Sequence, residues 1–548
     1  MRSARDRRVT RLRASLPVIV LVVLVTVFAA RLLDAAIQNA LTIDEPHYMG
    51  TGVYLWQTGD YHFERILLYH PPLAHHLASL PLLLFDLDGL PASPAVAEAL
   101  VARGSVDRTT LRIASRIPFI LLSCWGAILL FFWAREVAGS ASGLLAAFLA
   151  SMSPALMAHG SLAHSDVAVG VLYFQTLYLF WRWSMQPTGL RVVLCGISLG
   201  LALLSKHSAI LLLPTLALLL GWSVFLPRRP PEGDPRIGPE TLGPRLLWAA
   251  GAGVTLLGLA VVVIWLGYGG SFAWTESPRW PGVQLPGWAQ PFLVYLDARA
   301  AHRSGFLLGE LAPNIYGWKF FPLAFAIKTP VGILLLLLLA LVTLSRFPSP
   351  LGRFLGVPCL VLLGTLFFVI NAPMGLRYML PLDLLILLLI ATQLGPRAGS
   401  WMRATVFGAC LWTAGASLWI HPHHLAYFNE LIGGPARGHH YVLDSNLDWG
   451  QDLSSLARYL QSRGNPPVSL AYFGAESPAV YGIRARQLEG CEPVGGIVAI
   501  SVNVWKGLYA SPSPLLAPVP GCYDWLRGHE PVARPGYSIL VYELPERP

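Results

Sequence analysis

The sequence predicts an α-helical membrane protein that crosses the bilayer many times and carries a small α/β domain at its C-terminal end. Of its 548 residues, 54% are hydrophobic and only 13% are charged, whereas soluble domains contain about 25% charged residues. The mean hydropathy is +0.55. Long apolar runs recur along residues 16–420, whereas residues 421–548 are more polar and show the shorter patterns of strands and one helix.

The apolar runs predict about eleven membrane-spanning helices, since each span needs about 20 residues. The predicted spans are 16–33, 111–133, 142–159, 166–182, 191–205, 208–226, 245–267, 324–345, 354–370, 378–394 and 401–420. The shortest connection is the turn at residues 206–208. Two long connections, 34–110 and 268–321, separate the spans, and the first contains candidate interfacial helices at 48–57 and 73–85.

Basic residues predict the orientation of these spans. The N-terminal segment 1–15 carries six arginines, and short cytoplasmic segments are enriched in Arg and Lys. Alternate connections continue this pattern with Arg135, Arg182, Arg191, Arg228, Arg229, Arg236, Arg245, Arg346, Arg353, Arg397 and Arg403. The N-terminus is therefore expected in the cytoplasm and the two long connections outside it. The same distribution explains the net charge of +9 without a nucleic acid partner, because no basic stripe is interleaved with aromatic residues.

The C-terminal domain, residues 421–548, is expected on the extracytoplasmic side. Its strand candidates are 468–473, 496–502 and 538–543, and its clearest helix is 452–463. Cys491 and Cys522 are the two cysteines in this polar part. An oxidising compartment would permit a disulfide between them, although the sequence does not give their geometry.

Two adjacent acids, Asp44 and Glu45, follow the first span. A carboxylate beside hydrocarbon can have a raised pKa and act as a general base, or it can orient cations and hydroxyl groups around a reacting centre. The alternative is that both acids simply cap a juxtamembrane helix.

Three further ionisable residues, Asp166, Lys206 and Arg377, fall at helix ends on the same predicted face of the membrane. Ionisable residues at such depth are costly, so their convergence indicates a functional site. Lys206 and Arg377 suit a phosphate group; the alternative is that each extends to the membrane interface from a helix end. His70, held before two prolines, is expected to hydrogen-bond the acids or a phosphate.

The other histidines predict packing rather than a metal site, because neither the pair at 75–76 nor the cluster at 421–424 has the spacing of a helical metal site. No cofactor is named with certainty. The paired acids leave a divalent cation as an open alternative.

These residues resemble the GT-C glycosyltransferases, and within them the protein O-mannosyltransferase and lipid A aminoarabinose transferase group. The motifs that carry the resemblance are Ile43-Asp44-Glu45-Pro46-His47-Tyr48, Gly59-Asp60-Tyr61, His70-Pro71-Pro72-Leu73, Asp166, Lys206, and Arg377-Tyr378 with Pro381. A later segment, Asp444-Ser445-Asn446-Leu447-Asp448-Trp449-Gly450-Gln451-Asp452, resembles a signature of uncharacterised bacterial members. The resemblance therefore covers the membrane part and the start of the C-terminal domain.

The resemblance implies a GT-C fold and transfer of a sugar, hexose or pentose, from a polyprenyl-phosphate carrier with inversion at the anomeric carbon. Asp44 matches the catalytic aspartate that takes the proton of the acceptor hydroxyl, and Glu45 would help position a substrate. Lys206 and Arg377 would bind the donor phosphate. The pocket is expected to include His70, Asp166, Tyr48 and Tyr378.

The sequence leaves several points open. The sugar-recognition and acceptor modules of the mannosyltransferases are not recognisable, so the acceptor can be a glycan, a lipid or a protein. The expected location is a bacterial inner membrane, with membrane lipids around the spans and the site facing the periplasm. A transporter or a non-catalytic scaffold is the alternative; against a transporter, the charges gather at one face, no span is broken at mid-depth and no inverted repeat is visible.

The segment 444–452 has two interpretations. Its acids and amides could line an acceptor site, or Asp444 and Asn446 could make a turn before a helix capped by Asp448. The turn and capping preferences favour the structural interpretation.

Overall fold

The computed structural model is mostly helical. It describes residues 4–61, 70–86, 107–225, 242–271, 274–276, 282–286, 304–313, 315–346, 349–370, 375–395, 399–488, 490–509 and 520–546. Parts of the two long connections therefore lie outside the described residues.

The helices of the membrane part follow the predicted apolar runs. They are α1 (Ala4–Gln38), α2 (Glu45–Thr58), α3 (Leu73–Ser79), α4 (Arg108–Ala138), α5 (Ser140–Ser151), α6 (Pro154–Gly160), α7 (Ser165–Met185), α8 (Gly189–Ser205), α9 (Leu212–Phe225), α10 (Leu242–Gly267), α11 (Gly317–Lys328), α12 (Val331–Arg346), α13 (Pro350–Phe368), α14 (Leu380–Leu394) and α15 (Ser400–Trp419). Short 3₁₀ turns extend α3 at Leu80–Leu84 and precede α9 at His207–Leu211 and α14 at Leu376–Met379. The two interfacial helices expected in the first connection are α2 and α3.

Six of the described helices are long and apolar enough to cross a membrane, or eight if each of two bent pairs is one span. The predicted count of about eleven stays a prediction. Lys206, with φ −162° and ψ 142°, interrupts the helix between α8 and the following 3₁₀ turn, as the short connection at 206–208 predicts.

The expectation of unbroken spans is wrong for two predicted runs. The run 142–159 bends by 61° between α5 and α6, and the run 324–345 bends by 114° between α11 and α12. In each case a proline, Pro154 or Pro330, stands at the bend. Proline lacks a backbone N–H and disfavours the helical conformation of the residue before it.

Two hairpins lie in the second long connection, pairing β1 (Trp274–Glu276) with β2 (Gln284–Pro286), and β3 (Ser304–Leu307) with β4 (Glu310–Pro313). The C-terminal part contains a four-stranded sheet made of β5 (Val468–Ala471), β6 (Ala485–Gln487), β7 (Gly496–Ser501) and β8 (Ile539–Leu544). The strand order is β6-β5-β7-β8; β5 runs parallel to both neighbours and β8 is antiparallel to β7. The three predicted strands and the predicted helix, now α16 (Leu453–Ser462), are confirmed, and β6 is an additional edge strand.

The apolar face of α16 packs on this sheet. Leu453, Leu456 and Leu460 recur at helical spacing and are fully buried against Val468 and Val541, so burial of one helical face drives the association. A short helix, α17 (Val502–Trp505), follows β7. Cys491 and Cys522 are joined in a disulfide.

The C-terminal part is fastened to the stretch that follows α1. The amides of Ala40 and Ile43 donate to the carbonyls of Gln451 (2.8 Å) and Trp449 (2.9 Å). The amide of Leu41 donates to the Glu476 carboxylate at 2.6 Å. Residues 40–43, immediately before the paired acids, are thus held by the segment 449–452.

Candidate functional site

The paired acids point to different neighbours. Asp44 occupies the N-cap position of α2, but its side chain makes no capping hydrogen bond, so the capping alternative is wrong for Asp44. Its Oδ2 instead lies 3.4 Å from His164 Nε2 and 3.7 Å from Arg377 Nη1. The Asp44 side chain keeps 42% exposure, whereas Glu45 is fully buried.

Glu45 is enclosed by protein groups. Its two oxygens accept from Arg116 Nε at 2.7 Å and Nη2 at 2.6 Å, and also from the backbone amides of Ala163 and Thr42 at 2.8 Å. Burial raises the pKa of Glu45, but the charge and hydrogen bonds of Arg116 outweigh this and hold the pKa below its ordinary value. Because the carboxylate is saturated inside the protein, the structure does not support the expected contact of Glu45 with substrate.

Asp166 is the residue that His164, Lys206 and Arg377 all approach. His164 lies between the two acids, with Nδ1 2.5 Å from Asp166 Oδ2 and Nε2 on the Asp44 side. Lys206 Nζ donates to Asp166 Oδ1, and Arg377 Nε lies 3.9 Å from Asp166 Oδ2. The helix start explains part of this arrangement, because Asp166 is in the first turn of α7, where an acid is favoured.

Aromatic rings fix the two cations. The Arg377 guanidinium lies 4.2 Å from the ring centroid of Trp449 and 5.7 Å from that of Tyr378. Lys206 Nζ lies 5.0 Å from the Tyr378 centroid. Such cation–π contacts orient a charge without using its hydrogen-bond donors. Nε and Nη1 of Arg377 are buried without a hydrogen-bond partner among the described residues, and the carboxylate oxygens of Asp166 and Asp44 lie 3.9 Å and 3.7 Å from them.

The rings of Tyr48 and His70 pack next to the ring of His164. The Tyr48 hydroxyl lies 3.0 Å from Ser165 Oγ, and its ring centroid lies 4.8 Å from that of His164 and 5.5 Å from that of His70. Burial, followed by the Lys206 charge, lowers the pKa of His70 well below its ordinary value, which keeps the imidazole neutral. The expected hydrogen bond of His70 to the acids is not among the described contacts.

One expectation from the sequence was a raised pKa for Asp44, and the structure gives the opposite direction. Burial alone would raise the pKa of Asp44, but the hydrogen bond and charge of His164, and the charges of Arg377 and His47, hold it below the ordinary value of 3.8. Asp44 is therefore ionised over the whole physiological range. Two carboxylates and two cations balance in this cluster, so a bound anion would have to compete with Asp44 and Asp166 for Lys206 and Arg377.

Sequence reasoning missed several residues that build this site. His164 stands two residues before Asp166, and that proximity was the available signal. Lys328, at the end of α11, donates to the carbonyls of Leu425 (2.9 Å), Tyr427 (3.1 Å) and Asn446. Asn446 Oδ1 in turn accepts from the Leu376 amide at 2.9 Å. This chain of bonds holds the backbone next to Arg377.

The segment 444–452 begins with the predicted turn, and most of its residues are buried. Residues Asp444–Asn446 form a 3₁₀ turn, and Asp448 and Asp452 are fully buried. The predicted cap is wrong, because α16 begins at Leu453 and the N-cap position is Asp452, without a side-chain capping bond. Trp449, beneath Arg377, is the residue through which the segment contacts the site.

Metal ligation was left open by the sequence. Within the described ranges, no group of three or more His, Cys, Asp or Glu side chains has an arrangement that could hold a metal ion. No metal is assigned to the cluster.

His75, whose ring packs against that of Tyr48, gives a prediction for stability. His75 is fully buried, and burial, followed by the His47 charge, lowers its pKa well below 6.5. In the unfolded chain the imidazole of His75 takes up a proton near pH 6.5, whereas in the folded chain it is still neutral at that pH. His75 therefore contributes stability above pH 6.5, and this contribution is lost as the pH falls. We expect unfolding in detergent to become easier from pH 7 to pH 5, with His75 contributing up to about 1.4 kcal/mol per pH unit.

The variant His75→Phe, which keeps a ring against Tyr48, should unfold with a shallower pH dependence. His529→Phe, at an exposed position, is the control and should leave the dependence unchanged. Identical pH slopes for wild type and His75→Phe would contradict the assignment of this effect to His75.

Comparisons with known proteins agree with this architecture. Residues 109–231 match the model of the dolichyl-phosphate-mannose-protein mannosyltransferase family. The chain is similar to the crystal structure of ArnT from Cupriavidus metallidurans bound to undecaprenyl phosphate, with 15% identity, a TM-score of 0.51, and coverage of 96% of this chain and 98% of that one. None of the curated protein sequences matches the chain.

Two other solved structures are similar over smaller parts. The oligosaccharyltransferase of Archaeoglobus fulgidus in the apo form gives 15% identity and a TM-score of 0.44, covering 73% of this chain and 56% of that one. The S. cerevisiae protein O-mannosyltransferase complex bound to the sugar donor gives 19% identity and a TM-score of 0.35, covering 46% of this chain and 33% of that one.

The fold shared with ArnT extends over nearly the whole of both chains, and the family match falls on the helices that carry His164 and Asp166. The chain is a membrane protein that shares the fold of ArnT and matches the mannosyltransferase family model over residues 109–231.

Proposed function

We propose that the protein transfers a sugar, hexose or pentose, from a polyprenyl-phosphate carrier to an acceptor hydroxyl at the extracytoplasmic face of a bacterial inner membrane. The observation that carries this proposal is the juxtaposition of Asp44, a half-exposed ionised carboxylate, with Arg377, a buried guanidinium whose Nε and Nη1 make no hydrogen bond within the described residues. A base and an anion site lie within 3.7 Å of each other.

The donor phosphate would bind at Arg377, with Lys206 nearby. Guanidinium groups suit phosphate because two parallel hydrogen bonds can form, whereas an ammonium group contributes a point charge. Undecaprenyl phosphate is bound in the ArnT structure whose fold this chain shares, which supports a polyprenyl carrier.

In the transfer step the acceptor oxygen forms a bond to the anomeric carbon while the bond from that carbon to the phosphate oxygen breaks. Negative charge develops on the leaving phosphate, and the two cations stabilise it. The acceptor proton passes to Asp44. Attack opposite the leaving group inverts the anomeric configuration.

Donor binding would also adjust Asp44 for this role. Arg377 is one of the charges that lower the pKa of Asp44. A phosphate that draws the guanidinium toward itself weakens that effect, so Asp44 becomes a stronger base when donor is present. While donor is bound, His164 stays in contact with Asp166 and keeps Asp44 oriented.

The extracytoplasmic placement has separate support. The C-terminal part carries the Cys491–Cys522 disulfide, and disulfides persist in oxidising compartments such as the periplasm. The basic connections predicted on the opposite side agree with this orientation.

A transporter is the alternative that deserves a test, because bent spans such as α5–α6 and α11–α12 also occur in transporters. The one-sided cluster of acids and cations favours the enzyme. A transporter would move substrate across liposome membranes without making a glycosidic bond.

The test is turnover of radiolabelled polyprenyl-phosphate sugars by membranes that contain the full chain and endogenous acceptors. We expect carrier release with one donor of the panel, and Arg377→Gln should raise the donor KM by about 10–100-fold, since a hydrogen bond to a charged group contributes about 1.5–3 kcal/mol. Arg403→Gln, at an exposed position on α15, is the matched control. Equal donor KM values in Arg377→Gln and wild type would contradict the phosphate site, and transport without carrier release would favour the alternative.

A further inference from the structure

A second acidic and aromatic group lies in the C-terminal part. Asp444 Oδ2 accepts a hydrogen bond from the Tyr509 hydroxyl at 2.5 Å. The Tyr509 ring stacks on Phe473, with centroids 4.5 Å apart and planes 18° from parallel. Asp444 and Tyr509 are both partly exposed, whereas Phe473 is buried. The group therefore presents a carboxylate, a phenol and a ring supported from behind.

The turn that carries Asp444 packs against the turn that carries Arg377, because the Leu376 amide donates to Asn446 Oδ1 at 2.9 Å. Burial raises the pKa of Asp444, and the largest opposing influence is the positive charge of Arg377. The charges of Arg377 and Asp44 both act on Tyr509. These interactions place the carboxylate and phenol within electrostatic reach of the proposed base and phosphate site.

The backbone holds the Asp444 carboxylate in a fixed position. Asp444 has φ +60°, a left-handed conformation that is unfavourable for most non-glycine residues. The Asp444 amide donates to Asn503 Oδ1 at 2.9 Å, and Asn503 Nδ2 donates to the carbonyl of Asp448 at 2.8 Å. Strained residues that the surrounding structure holds in place are concentrated at functional sites.

From this arrangement we infer that Asp444 and Tyr509 form a carbohydrate subsite that binds ring hydroxyl groups next to the reacting centre. A carboxylate accepts strong, charge-assisted hydrogen bonds from hydroxyl groups. The phenol hydroxyl both donates and accepts, and its ring offers an apolar surface to the C–H face of a sugar. The inference rests on the proposed function and adds the part of the protein that recognises the sugar ring.

The ring can belong to the donor sugar or to a carbohydrate acceptor, and the chemistry of the subsite serves both. Two conservative variants separate recognition from folding. Asp444→Asn removes the charge and keeps a residue type that tolerates positive φ. Tyr509→Phe removes the hydroxyl and keeps the ring on Phe473. Asp524→Asn and Tyr459→Phe, elsewhere in the C-terminal part, are the matched controls.

Steady-state kinetics of the full chain would show whether the bound sugar ring belongs to the donor or to the acceptor. We expect each variant to raise one KM by about 10–100-fold, the effect of one or two charge-assisted hydrogen bonds, with kcat within a few-fold of wild type and unchanged thermal unfolding. A change in the KM for the polyprenyl-phosphate sugar assigns the subsite to the donor. A change confined to the acceptor KM assigns it to the acceptor. If both KM values are unchanged in both variants, the subsite is wrong.

A binding measurement keeps the inference testable if no donor is turned over and the proposed function fails. Saturation-transfer NMR of the purified full chain with free mannose, glucose, galactose and arabinose would report direct contact with a sugar ring. Binding of at least one of them by wild type, lost in Asp444→Asn and retained in Asp524→Asn, supports the subsite without reference to turnover. Absence of binding by wild type to all four, together with absence of turnover, overturns it.

Discussion

Exchange of Asp44 for Asn is expected to lower the rate of sugar transfer by about 10²–10⁴-fold, the usual contribution of a general base. Asn has the same shape but accepts no proton. The lowered pKa of Asp44 keeps this carboxylate ionised above pH 4 in the free protein, so Asp44 should cause no acid limb between pH 5 and pH 8 in kcat/KM for the donor, which reports the free enzyme. The measurement is the initial rate of labelled carrier release in membranes, with kcat and KM determined separately.

Asp34→Asn is the matched control for this experiment. Asp34 is likewise half-exposed, at 48%, and likewise paired with a histidine, His421, at 2.7 Å, but it lies on α1 outside the Asp44 cluster. We expect its turnover to equal that of wild type. Wild-type kcat in Asp44→Asn would remove Asp44 as the base, even if donor turnover itself is established.

The convergence of Asp44, Asp166, Lys206 and Arg377 could be predicted from the sequence because it depends on topology. Each lies in or beside a connection between apolar runs, and the alternating basic connections predict that these connections share one face of the membrane. Which atoms then meet depends on side-chain directions and packing. For that reason the position of His164 between two carboxylates was not predictable from spacing alone.

The direction of the Glu45 side chain was also not predictable from the sequence. Consecutive residues at a helix start point about 100° apart, so the acids at 44 and 45 cannot face the same neighbours. The sequence does not say which of the two faces the pocket. Packing of Arg116, more than 70 positions away along the chain, decides it by burying Glu45.

The sheet was predictable where strands are buried and not where they are exposed. The strands β5, β7 and β8 carry apolar runs that the core buries. The edge strand β6, Ala485–Gln487, is short and exposed at every position. Without alternation between buried and exposed residues it gives no periodic signal.

The second large effect is expected at Arg116. The variant Arg116→Met should lose about 3–5 kcal/mol of stability, the usual result of leaving one charge of a buried pair without its partner. Both members of the Glu45–Arg116 pair are fully buried. Arg116 also donates to the carbonyls of Ala36 (2.7 Å), Asn39 (2.9 Å) and Ala40 (2.8 Å). The measurement is unfolding of the purified protein in detergent by heat or by denaturant.

A double-variant cycle identifies the cause of this loss. If the unpaired Glu45 charge is the main cost, Glu45→Gln combined with Arg116→Met should be more stable than Arg116→Met alone, because the uncompensated charge is gone. Arg112→Met, on the same helix α4 but 3.9 Å from its partner Glu476, is the control and should cost less. Equal losses for Arg112→Met and Arg116→Met would contradict a special cost of the closer pair.

The same variants separate the two interpretations of Glu45. A residue that positions substrate would raise a KM in Glu45→Gln while the protein stays folded. A structural residue would lower the amount of folded protein, and the molecules that remain folded would keep the wild-type KM for both substrates. We expect the second result, because every oxygen of Glu45 is occupied inside the protein. Since Arg116 and Glu45 together hold residues 36–45, unfolding of this pair also displaces Asp44, and activity should disappear over the same temperature range as the fold.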